Sequence, residues 1–435
     1  MNPAELASAI FAHGSRTFAV ELWDGTVFAP EHDAVPGSRV VLRRPEVVSL
    51  FLPPSSERRL AEAYMTGGLA LEGDLCGLLE AAAEWQGPSR LGPTALLSAW
   101  LARARSPHEP SPLRGSAHNP GRDREAIRRH YDRGAELCRL FLDRSQTYSC
   151  AYYPSGRESL DEAQAAKHEL ICRKLDLKAG DEVLDIGCGW GGFMLYAWSR
   201  HGARVVGTTL SDDQLEYVQQ AIVARAPESE LGVRLMDYRQ LGSSPSFDKI
   251  VSVGMMEHVG SKPLGGYFAA AYEALRPGGL FLNHAIARLP GPRSTVPWLG
   301  QRDGGFIGTH IFPDGELLPI HEVVTVAERA GFEVLDLESL REHYELTLEH
   351  WLRRLQGTYD EAVRLVGAEL TRAFLLYLGS SAVAFRLGRI GVFQLLLAKR
   401  DQHGRAEGLP SCRGVWYPLL ANAAEDRRLP MARAG

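Results

Sequence analysis

The sequence predicts an α/β protein in which a doubly wound, largely parallel sheet carries helices on both faces and follows a small α+β domain. Three observations support this fold class. Strand-like and helix-like segments alternate from residue 183 onwards, a glycine-rich turn (GCGWGG) follows the first of these strands, and short β-like runs with two helical patterns occupy residues 1–105. Alternation of this kind is typical of parallel sheets whose crossovers are helices.

The bulk composition is that of an ordinary soluble globular protein. Its 435 residues are enough for two or more domains, and 45% of them are hydrophobic and 23% charged. The formal net charge of -5 argues against general nucleic-acid binding, which needs a basic face. We therefore expect no nucleic-acid partner.

The cysteines and the apolar segments indicate a cytoplasmic protein. Six scattered cysteines include no CxxC pair, which fits neither a metal site of the zinc type nor a dense disulfide framework. The opening residues, MNPAELASAIFAHG, lack a positive region followed by a long apolar one, so no signal peptide is expected. No apolar run is long enough to span a bilayer, so any membrane contact would be peripheral.

Residues 1–105 predict the small α+β domain. Three β-like runs, FAVELW, SRVVLRR and VVSLFL, precede helical patterns around 57–66 and 74–86. The stretch at 106–123 is rich in proline, serine, glycine and charge, as linkers are. The catalytic domain is predicted over 124–402, where a helical segment opens it, and a tail over 403–435.

The sequence of the catalytic domain predicts strands and helices in alternation. VLDIG, ARVVGTTL, GVRLMD, FDKIVSVG and LFLNHAI are the first five strands. GGFMLYAWSRHG is a helix ended by Gly202, DDQLEYVQQAIVARA a helix with an acidic first turn, and KPLGGYFAAAYEALRPGG a helix stopped by Pro-Gly-Gly. EVVTVAERAGFEVLDLE supplies a further helix and strand. Helices over 343–356 and 359–380 and a last strand, GVFQLLLAK, complete the domain.

The glycine turn predicts a nucleotide-like cofactor. Gly187, Gly189 and Gly192 form G-x-G-x-x-G after a strand, where glycine lets the backbone approach a ligand closely. Asp185 ends that strand and would repel a pyrophosphate but attract a sulfonium and an ammonium group. The second strand ends in TTLS, without the acidic residue that holds the ribose of NAD. Both points favour S-adenosylmethionine over NAD.

The same fold logic predicts further cofactor contacts at the carboxyl ends of the strands. Thr209 and Gln214 follow strand two and can form hydrogen bonds. Asp237 and Tyr238 follow strand three, where a carboxylate could meet an adenine amine, and Val253 ends strand four, where it could pack on the ring.

Cys150 lies among three tyrosines in YSCAYYP, shortly before the glycine turn. From the residues alone it could be a nucleophile, a redox thiol, a metal ligand or a buried, inert core thiol, and the last of these is favoured.

Long stretches of the chain resemble the cyclopropane fatty acid synthase family, which includes the mycolic acid cyclopropane synthases. HYDRGAELCRLFLDRSQTYSCAYY, EAQAAKHELICRKLDLKAGDEVLDIGCGWGG and FDKIVSVGMMEHVG resemble the family's motifs, and LRPGGLFLNHAI and FIGTHIFPDGE follow in the family's order. AYMTGGLALEGDL resembles the N-terminal lipid-handling domain of the bacterial phospholipid enzymes. The resemblance implies a class I methyltransferase (Rossmann-like) fold.

The resemblance also implies an activity. Members of the family use S-adenosylmethionine to convert cis double bonds of phospholipid acyl chains into cyclopropane rings, with a bound bicarbonate ion taking the proton. The matching positions for holding this ion are Cys150, Glu257, His284, Ile286 and Tyr344. The implied cofactor contacts are Tyr148, Ser149, Gly187, Gly189, Thr209, Leu210, Gln214, Asp237 and Val253.

The implied partner is unsaturated phospholipid, reached by peripheral contact at the inner face of the membrane, and a homodimer is expected. Pairs of arginines could meet anionic headgroups, although solvated arginines on helix faces explain any single pair equally well. These arginines are Arg43, Arg44, Arg128, Arg129, Arg353, Arg354, Arg386 and Arg389.

Three departures from the family pattern and the nature of the product stay open. Arg133 and Ala135 change the helix that resembles the family's opening helix, and Ser381 stands where some bacterial enzymes have a late cysteine. After methyl transfer, loss of a proton from the new methyl group gives a ring, whereas a hydride shift gives a methylene or methyl branch. The intact anion-binding positions favour the ring.

Overall fold

A computed structural model describes residues 2–12, 16–30, 35, 37–52, 57–85, 118–226, 228, 230–242, 246–290, 305–406, 410 and 412–417, with the backbone alone over 129–135. The predicted linker up to residue 117 and most of the predicted tail lie outside these residues, as do the side chains of Arg133 and Ala135. The chain divides into two compact units. The first combines Met1–Phe141, Pro290–Gly315 and Leu348–Arg389, and the second combines Leu142–Leu289, Glu316–Thr347 and Ile390–Gly435. The domain limits drawn from the sequence stay a prediction.

The described elements are numbered in chain order. The strands are β1 Ala19–Glu21, β2 Val27–Phe28, β3 Arg39–Leu42, β4 Leu69–Glu72, β5 Glu182–Ile186, β6 Arg204–Thr209, β7 Gly232–Leu235, β8 Phe247–Val253, β9 Leu275–Arg288, β10 Glu333–Ser339 and β11 Ile390–Ala398. The helices are α1 Pro3–Phe11, α2 Glu57–Met65, α3 Leu75–Glu84, α4 Pro120–Phe141, α5 Leu160–Lys174, α6 Gly192–His201, α7 Asp212–Arg225, α8 Leu264–Ala274, α9 Ile320–Arg329, α10 Arg341–Gly357, α11 Tyr359–Val366 and α12 Ala368–Arg386.

The first unit contains a small sheet in the order β2-β1-β3-β4 together with helices. The prediction of a strand at VVSLFL was wrong, because Pro45–Phe51 is a 3-10 helix that buries Val47 and Val48. Pro45 at its first turn lacks the N–H that a strand would donate to the ladder. The helix predicted over 359–380 is two helices, since the backbone turns at Gly367 with φ +84.

The second unit is built on a seven-stranded sheet in the order β10-β11-β9-β8-β5-β6-β7. Strands β5 to β9 pair in parallel, and β11 runs antiparallel to β9 and β10. The strand order reverses between β5 and β8. Open α/β sheets bind ligands at the carboxyl ends of the strands beside such a switch point. The predicted doubly wound fold is confirmed, with both faces of the sheet buried.

Alternate residues of the central strands fill two cores. Leu184, Ile250 and Phe281 pack into one cluster with α8 and α9. Their neighbours Val183, Val251 and Leu282 pack into the other, with α5 and α6. This two-residue period with apolar side chains on both faces is typical of a buried parallel sheet.

The Pro-Gly-Gly at 277–279 lies in β9, although the sequence predicts it as a helix stop. Helix α8 ends earlier, at Ala274, and β9 starts at Leu275 with a register shift opposite Phe247 and Lys249. A Cβ at Gly279 would lie 2.7 Å from the Asp248 carbonyl oxygen. The glycine therefore permits a close backbone approach at a bulge. Among the described residues, no helix has the length and apolar character to cross a membrane.

Candidate active site

The glycine turn after β5 fixes the first side of the candidate site. Gly187 and Gly189 have φ +82 and +54, in the region that favours glycine. The Gly187 N–H donates to the Thr208 carbonyl at 3.0 Å, and a Cβ at Gly187 would lie 3.0 Å from the Met255 side chain. The turn is therefore tied to the end of β6, and a Cβ at Gly189 would meet no atom within 4 Å, which leaves open space on that side of the turn.

A polar corner follows β6. The Thr209 hydroxyl donates to Gln214 Oε1 at 2.7 Å and accepts from the Ser211 N–H at 3.2 Å. The Ser211 hydroxyl in turn accepts the Gln214 N–H at 3.1 Å and caps α7. Thr209 and Gln214 are buried and Leu210 is half-buried. The protein's own hydrogen bonds therefore hold this corner in place.

The residues predicted as cofactor contacts at the ends of β7 and β8 also form contacts within the protein. The Asp237 carboxylate accepts from the Arg239 N–H and guanidinium, each at 2.9 Å, so it already has a cationic partner. The Tyr238 ring packs edge-on against Tyr267 at 5.5 Å within the core. Because the Tyr238 ring is buried in the core, the predicted cofactor contact of Tyr238 would be made by its backbone. Val253 ends β8 half-buried, paired in register with His284.

Two buried groups of opposite charge, on Asp185 and Lys167, interact through space near the glycine turn without forming an ion pair. Asp185 on β5 is 3% exposed, and burial raises the pKa of its carboxyl to about 7, opposed by the positive charge of Lys167. The Lys167 ammonium on α5 is also buried and donates to the Ser149 hydroxyl at 3.1 Å. Lys167 was not among the residues predicted from the sequence.

One face of α5 holds the segment that carries Tyr148 (half-buried) and Ser149 (buried). The Gln164 amide donates to the Ser149 carbonyl at 2.8 Å and to the Thr147 carbonyl at 3.2 Å. The His168 ring lies 3.0 Å from the Thr147 hydroxyl. Gln164, Lys167 and His168 have the i, i+3, i+4 spacing of one helix face. The spacing places the three residues on one face, but their burial, which distinguishes this face from a solvated one, is visible only in the structure.

The Cys150 thiol is neither a nucleophile nor a redox centre in this arrangement. It is fully buried, and burial raises the pKa of the thiol well above its ordinary value. Its Sγ lies 3.2 Å from the Ala151 carbonyl oxygen and 3.8 Å from that of Leu340, both acceptors for the S–H. A protonated thiol that donates to carbonyl oxygens is a poor nucleophile.

Helix α10 supports the same segment from a second side. The Ala151 N–H donates to the Thr347 hydroxyl oxygen and the Tyr153 N–H to His343 Nδ1, each at 3.0 Å. The Tyr152 ring also lies 4.6 Å from the His343 ring. Sequence reasoning missed His343 and Thr347, which are four residues apart on α10 and so share a face with each other.

Glu257 and His284 end in buried polar atoms that no other described residue satisfies. Glu257 Oε1 accepts the Ile286 N–H at 2.7 Å, while Oε2 has no partner in the described part of the chain. Gln394 Nε2 lies 3.3 Å from His284 Nδ1. With the amide in this assigned orientation, Nδ1 accepts and a neutral ring carries its proton on Nε2, which also has no described partner.

Burial shifts the pKa values of both Glu257 and His284. Burial raises the pKa of the Glu257 carboxyl to about 7, partly offset by the Ile286 N–H. Burial and the positive charges of Lys167 and Lys174 hold the pKa of His284 well below its ordinary value, so the ring stays neutral. The site thus offers one N–H donor and one carboxyl acceptor.

The five positions matched to the anion site lie around the carboxyl end of β9. His284 and Ile286 are two residues apart and share a face of the strand. Ile286 pairs with Val392 on β11, whose carbonyl accepts the Leu340 N–H at 2.8 Å. The Leu340 carbonyl in turn accepts from the Tyr344 N–H, at 3.1 Å, and from the Cys150 thiol. The structure brings these positions together through one chain of hydrogen bonds.

Replacing Cys150 with serine is expected to lower turnover less than about tenfold, because a hydroxyl can donate to the same carbonyl oxygens. The measurement is the initial rate, for the purified variant, of the methyl transfer that the family resemblance implies, with thermal unfolding as the check on folding. A loss on the scale of a removed nucleophile, roughly 10⁴-fold or more, would contradict the assignment of Cys150 as a protonated thiol.

The chain matches a sequence-family model described as "Mycolic acid cyclopropane synthetase" over residues 118–395. The protein belongs to this family. A probable fatty acid methyltransferase of Pseudomonas putida is 36% identical over 398 residues, which cover 92% of this chain and 95% of that protein. The cyclopropane-fatty-acyl-phospholipid synthase of Escherichia coli is 36% identical over 275 residues, 63% of this chain and 68% of that protein.

A solved relative supports the same conclusion. The crystal structure of mycolic acid cyclopropane synthase CmaA1 complexed with SAH and CTAB superposes with a TM-score of 0.60 at 36% identity, covering 63% of this chain and 97% of that chain. The predicted family, the methyltransferase fold and the assignment as a methyltransferase enzyme are confirmed.

Proposed function

We propose that the protein transfers a methylene group from S-adenosylmethionine to the cis double bond of unsaturated phospholipid acyl chains, giving cyclopropane acyl chains, with a bound bicarbonate ion as proton acceptor. The observation that carries the proposal is the buried pair of Glu257 Oε2 and His284 Nε2, one acceptor and one donor without described partners. Buried polar atoms are usually hydrogen-bonded, so an acceptor and a donor without described partners support a bound polar ligand.

The glycine turn and the corner after β6 support S-adenosylmethionine as co-substrate. Both lie at the carboxyl edge of the sheet beside its switch point. The solved relative that is 36% identical was determined with SAH, S-adenosylhomocysteine, the product form of that co-substrate. The proposed contacts are Tyr148, Ser149, Asp185, Gly187, Gly189, Thr209, Leu210, Gln214, Asp237, Tyr238 and Val253.

The polar atoms of the anion site fit a bicarbonate ion. His284 Nε2–H would donate to an ion oxygen, and Glu257 Oε2 would accept the hydroxyl proton of the ion. The Cys150 thiol already donates to carbonyl oxygens, so we assign any contact from Cys150 to its backbone N–H. Tyr344 and Ile286 complete the proposed set. When bound, the ion would supply a small base able to reach the added methyl group.

The chain's other task is to align the reactants and exclude water. An alkene is a weak nucleophile, and holding it in line with the sulfonium methyl can contribute roughly 7–11 kcal/mol to lowering the barrier. The carbocation that follows must not meet water. The faces of Tyr148, Tyr152 and Tyr153 can stabilise positive charge, each by roughly 0.5–2 kcal/mol.

Turnover is expected to depend on bicarbonate. Enzyme assayed in buffer stripped of carbon dioxide should lose activity and regain it on addition of bicarbonate. His284→Ala removes the Nε2 donor, so it should need roughly 10- to 100-fold more bicarbonate for half-maximal rate. The measurement is initial rate against bicarbonate concentration, with exposed His403→Ala as the matched control. Wild-type activity that is indifferent to bicarbonate would contradict the role of the ion.

A second candidate product is a methylene- or methyl-branched acyl chain formed from the same carbocation. The observation that favours it is that a relative matching nearly the full chain is named a probable fatty acid methyltransferase. The named cyclopropane synthase of Escherichia coli matches 63% of the chain.

Membrane contact, an inner-face location and a homodimer remain proposals. Some of the arginines considered for headgroup contact are already paired: Arg386 donates to Glu80 at 3.0 Å and to Glu349 at 2.5 Å, and Arg43 lies 3.7 Å from Glu72. Paired arginines contribute little to attraction of anionic lipid.

The direct test incubates purified protein with vesicles of unsaturated phosphatidylglycerol or phosphatidylethanolamine and S-adenosylmethionine labelled in its methyl group. The proposal expects label in the acyl chains of extracted phospholipid, and none with vesicles of saturated lipid. Label in free fatty acid but not in phospholipid would overturn the substrate class and keep the co-substrate.

A further inference from the structure

Lys167 is a charged side chain in a place where lysine is seldom found. It is 1% exposed, on the face of α5 that holds the Tyr148–Cys150 segment. Burying an ammonium group is costly unless anions or hydrogen-bond acceptors surround it. Among the described residues, the Ser149 hydroxyl is the one hydrogen-bond acceptor of this ammonium, and no carboxylate forms an ion pair with it. Two of its three N–H donors are therefore unused.

Titratable groups face Lys167 from every element packed against it. Asp143 lies in the turn before Tyr148, the Cys150 thiol lies two residues after Tyr148, His168 is the neighbour of Lys167 on α5, Asp185 lies on β5, and His284 lies on β9. The Asp143 and Asp185 carboxylates attract the ammonium through space, without a direct hydrogen bond, and burial lowers the pKa of the ammonium to about 8 despite this attraction. Nearby carboxylates therefore stabilise the Lys167 ammonium, but only one of its three N–H donors has a hydrogen-bond acceptor among the described residues.

Asp185 and Lys167 together complement one part of S-adenosylmethionine. The methionyl end of this molecule carries an ammonium group, a sulfonium and one carboxylate. Asp185 is the anion that suits the positive groups, and Lys167 is the cation that suits the carboxylate. Ser149, already a proposed cofactor contact, is bonded to Lys167.

We propose that Lys167 binds the α-carboxylate of S-adenosylmethionine, through its two unused N–H donors and together with the Ser149 hydroxyl that it orients. This inference rests on the proposed placement of the co-substrate and adds an electrostatic contact to it. A charge-assisted hydrogen bond in a buried site is among the stronger polar contacts available to a protein.

The test compares two ligands that differ in the carboxylate alone, S-adenosylhomocysteine and its decarboxylated analogue, by titration calorimetry. Wild type should bind S-adenosylhomocysteine roughly 10- to 100-fold more tightly. Lys167→Met should lose most of this preference, whereas Lys167→Arg should keep part of it because the positive charge remains. Lys178→Met removes an exposed lysine and serves as the matched control, with the wild-type preference retained.

A merely structural Lys167 would give a different result, since Lys167→Met would then weaken both ligands equally. That outcome, or equal binding of both ligands by wild type, overturns the inference. Failure of wild type to bind S-adenosylhomocysteine at all would instead overturn the proposed co-substrate.

A wild-type measurement keeps the inference testable if Lys167→Met does not fold. A carboxylate that contacts the ammonium raises its pKa, so binding near pH 8 must take up protons. Calorimetry in two buffers of different ionisation enthalpy should show this uptake with S-adenosylhomocysteine and less with the decarboxylated analogue. Equal uptake with the two ligands contradicts the contact.

Discussion

Glu257→Gln is expected to lower turnover roughly 10²- to 10⁴-fold, the range of a lost acid–base group, and to leave the affinity for S-adenosylhomocysteine unchanged. The glutamine can still accept the Ile286 N–H through its amide oxygen, so the anchor at 2.7 Å is retained. What is lost is a carboxylate able to accept a proton at Oε2. The measurement is the initial rate of methyl transfer to unsaturated phospholipid, beside calorimetric titration of the ligand.

The pH dependence of wild-type turnover provides a second test of the role of Glu257. Burial raises the pKa of Glu257 to about 7, so the ionised form is lost as the pH falls through 7. Wild-type turnover should therefore decline below about pH 7, and Glu257→Gln should lack this acidic limb. Exposed Glu273→Gln is the matched control and should show the wild-type profile. Unchanged turnover in Glu257→Gln would remove Glu257 from the proton route.

The same carboxyl affects stability. Its pKa is about 7 when folded against an ordinary value of 4.5, so the folded state holds the proton more tightly. Below about pH 4.5 this group makes its full contribution to the free energy of unfolding. The contribution, roughly 3 kcal/mol, is lost as the pH rises through 7. Glu257→Gln should not show this loss, which denaturant titrations at the two pH values would detect.

Gly192→Ala is expected to destabilise the protein by roughly 1–3 kcal/mol and to weaken co-substrate binding. A Cβ at Gly192 would lie 2.7 Å from the Thr147 hydroxyl oxygen and 2.8 Å from the Ser145 carbonyl oxygen. Thr147 cannot easily retreat, because its N–H donates to Asp143 at 2.8 Å and its hydroxyl contacts His168. The displaced segment leads directly into Tyr148 and Ser149.

Gly266→Ala is the matched control for this change. Gly266 lies on α8, and a Cβ added there would meet no atom within 4 Å, so alanine should be neutral or stabilise the helix by about 0.5–1 kcal/mol. Denaturant unfolding and titration with S-adenosylhomocysteine measure both effects. Wild-type binding by Gly192→Ala would show that the Thr147–Cys150 segment does not position the co-substrate.

The sheet was predictable because its signals are local. VLDIG and FDKIVSVG are apolar runs of strand length bounded by turn residues, and Gly202 ends α6 with φ +68 as glycine does at helix ends. A prediction failed where one local pattern is compatible with two structures. Pro-Gly-Gly is a helix stop in isolation, but the close approach of Gly279 to Asp248 makes it a strand bulge.

The candidate site was only partly predictable. Glu257 and His284 were identified through family resemblance, and the structure adds an observation that fits the proposed role, since each ends in a buried atom without a described partner. Lys167 was missed because a lysine on a helix is ordinarily solvated. Its burial depends on the packing of α5 against a segment before it in the chain, which the spacing of residues does not show.

The measurement that tests the central claim most directly is the structure of the acyl product formed in a host lacking its own synthase. Extracted phospholipid is analysed by mass spectrometry before and after mild hydrogenation. The proposed reaction predicts a chain heavier than the monoenoic parent by one CH₂ that resists hydrogenation, as a ring does. A chain of the same mass that takes up hydrogen would contradict cyclopropanation and establish a methylene branch, and unaltered acyl chains would contradict the lipid substrate itself.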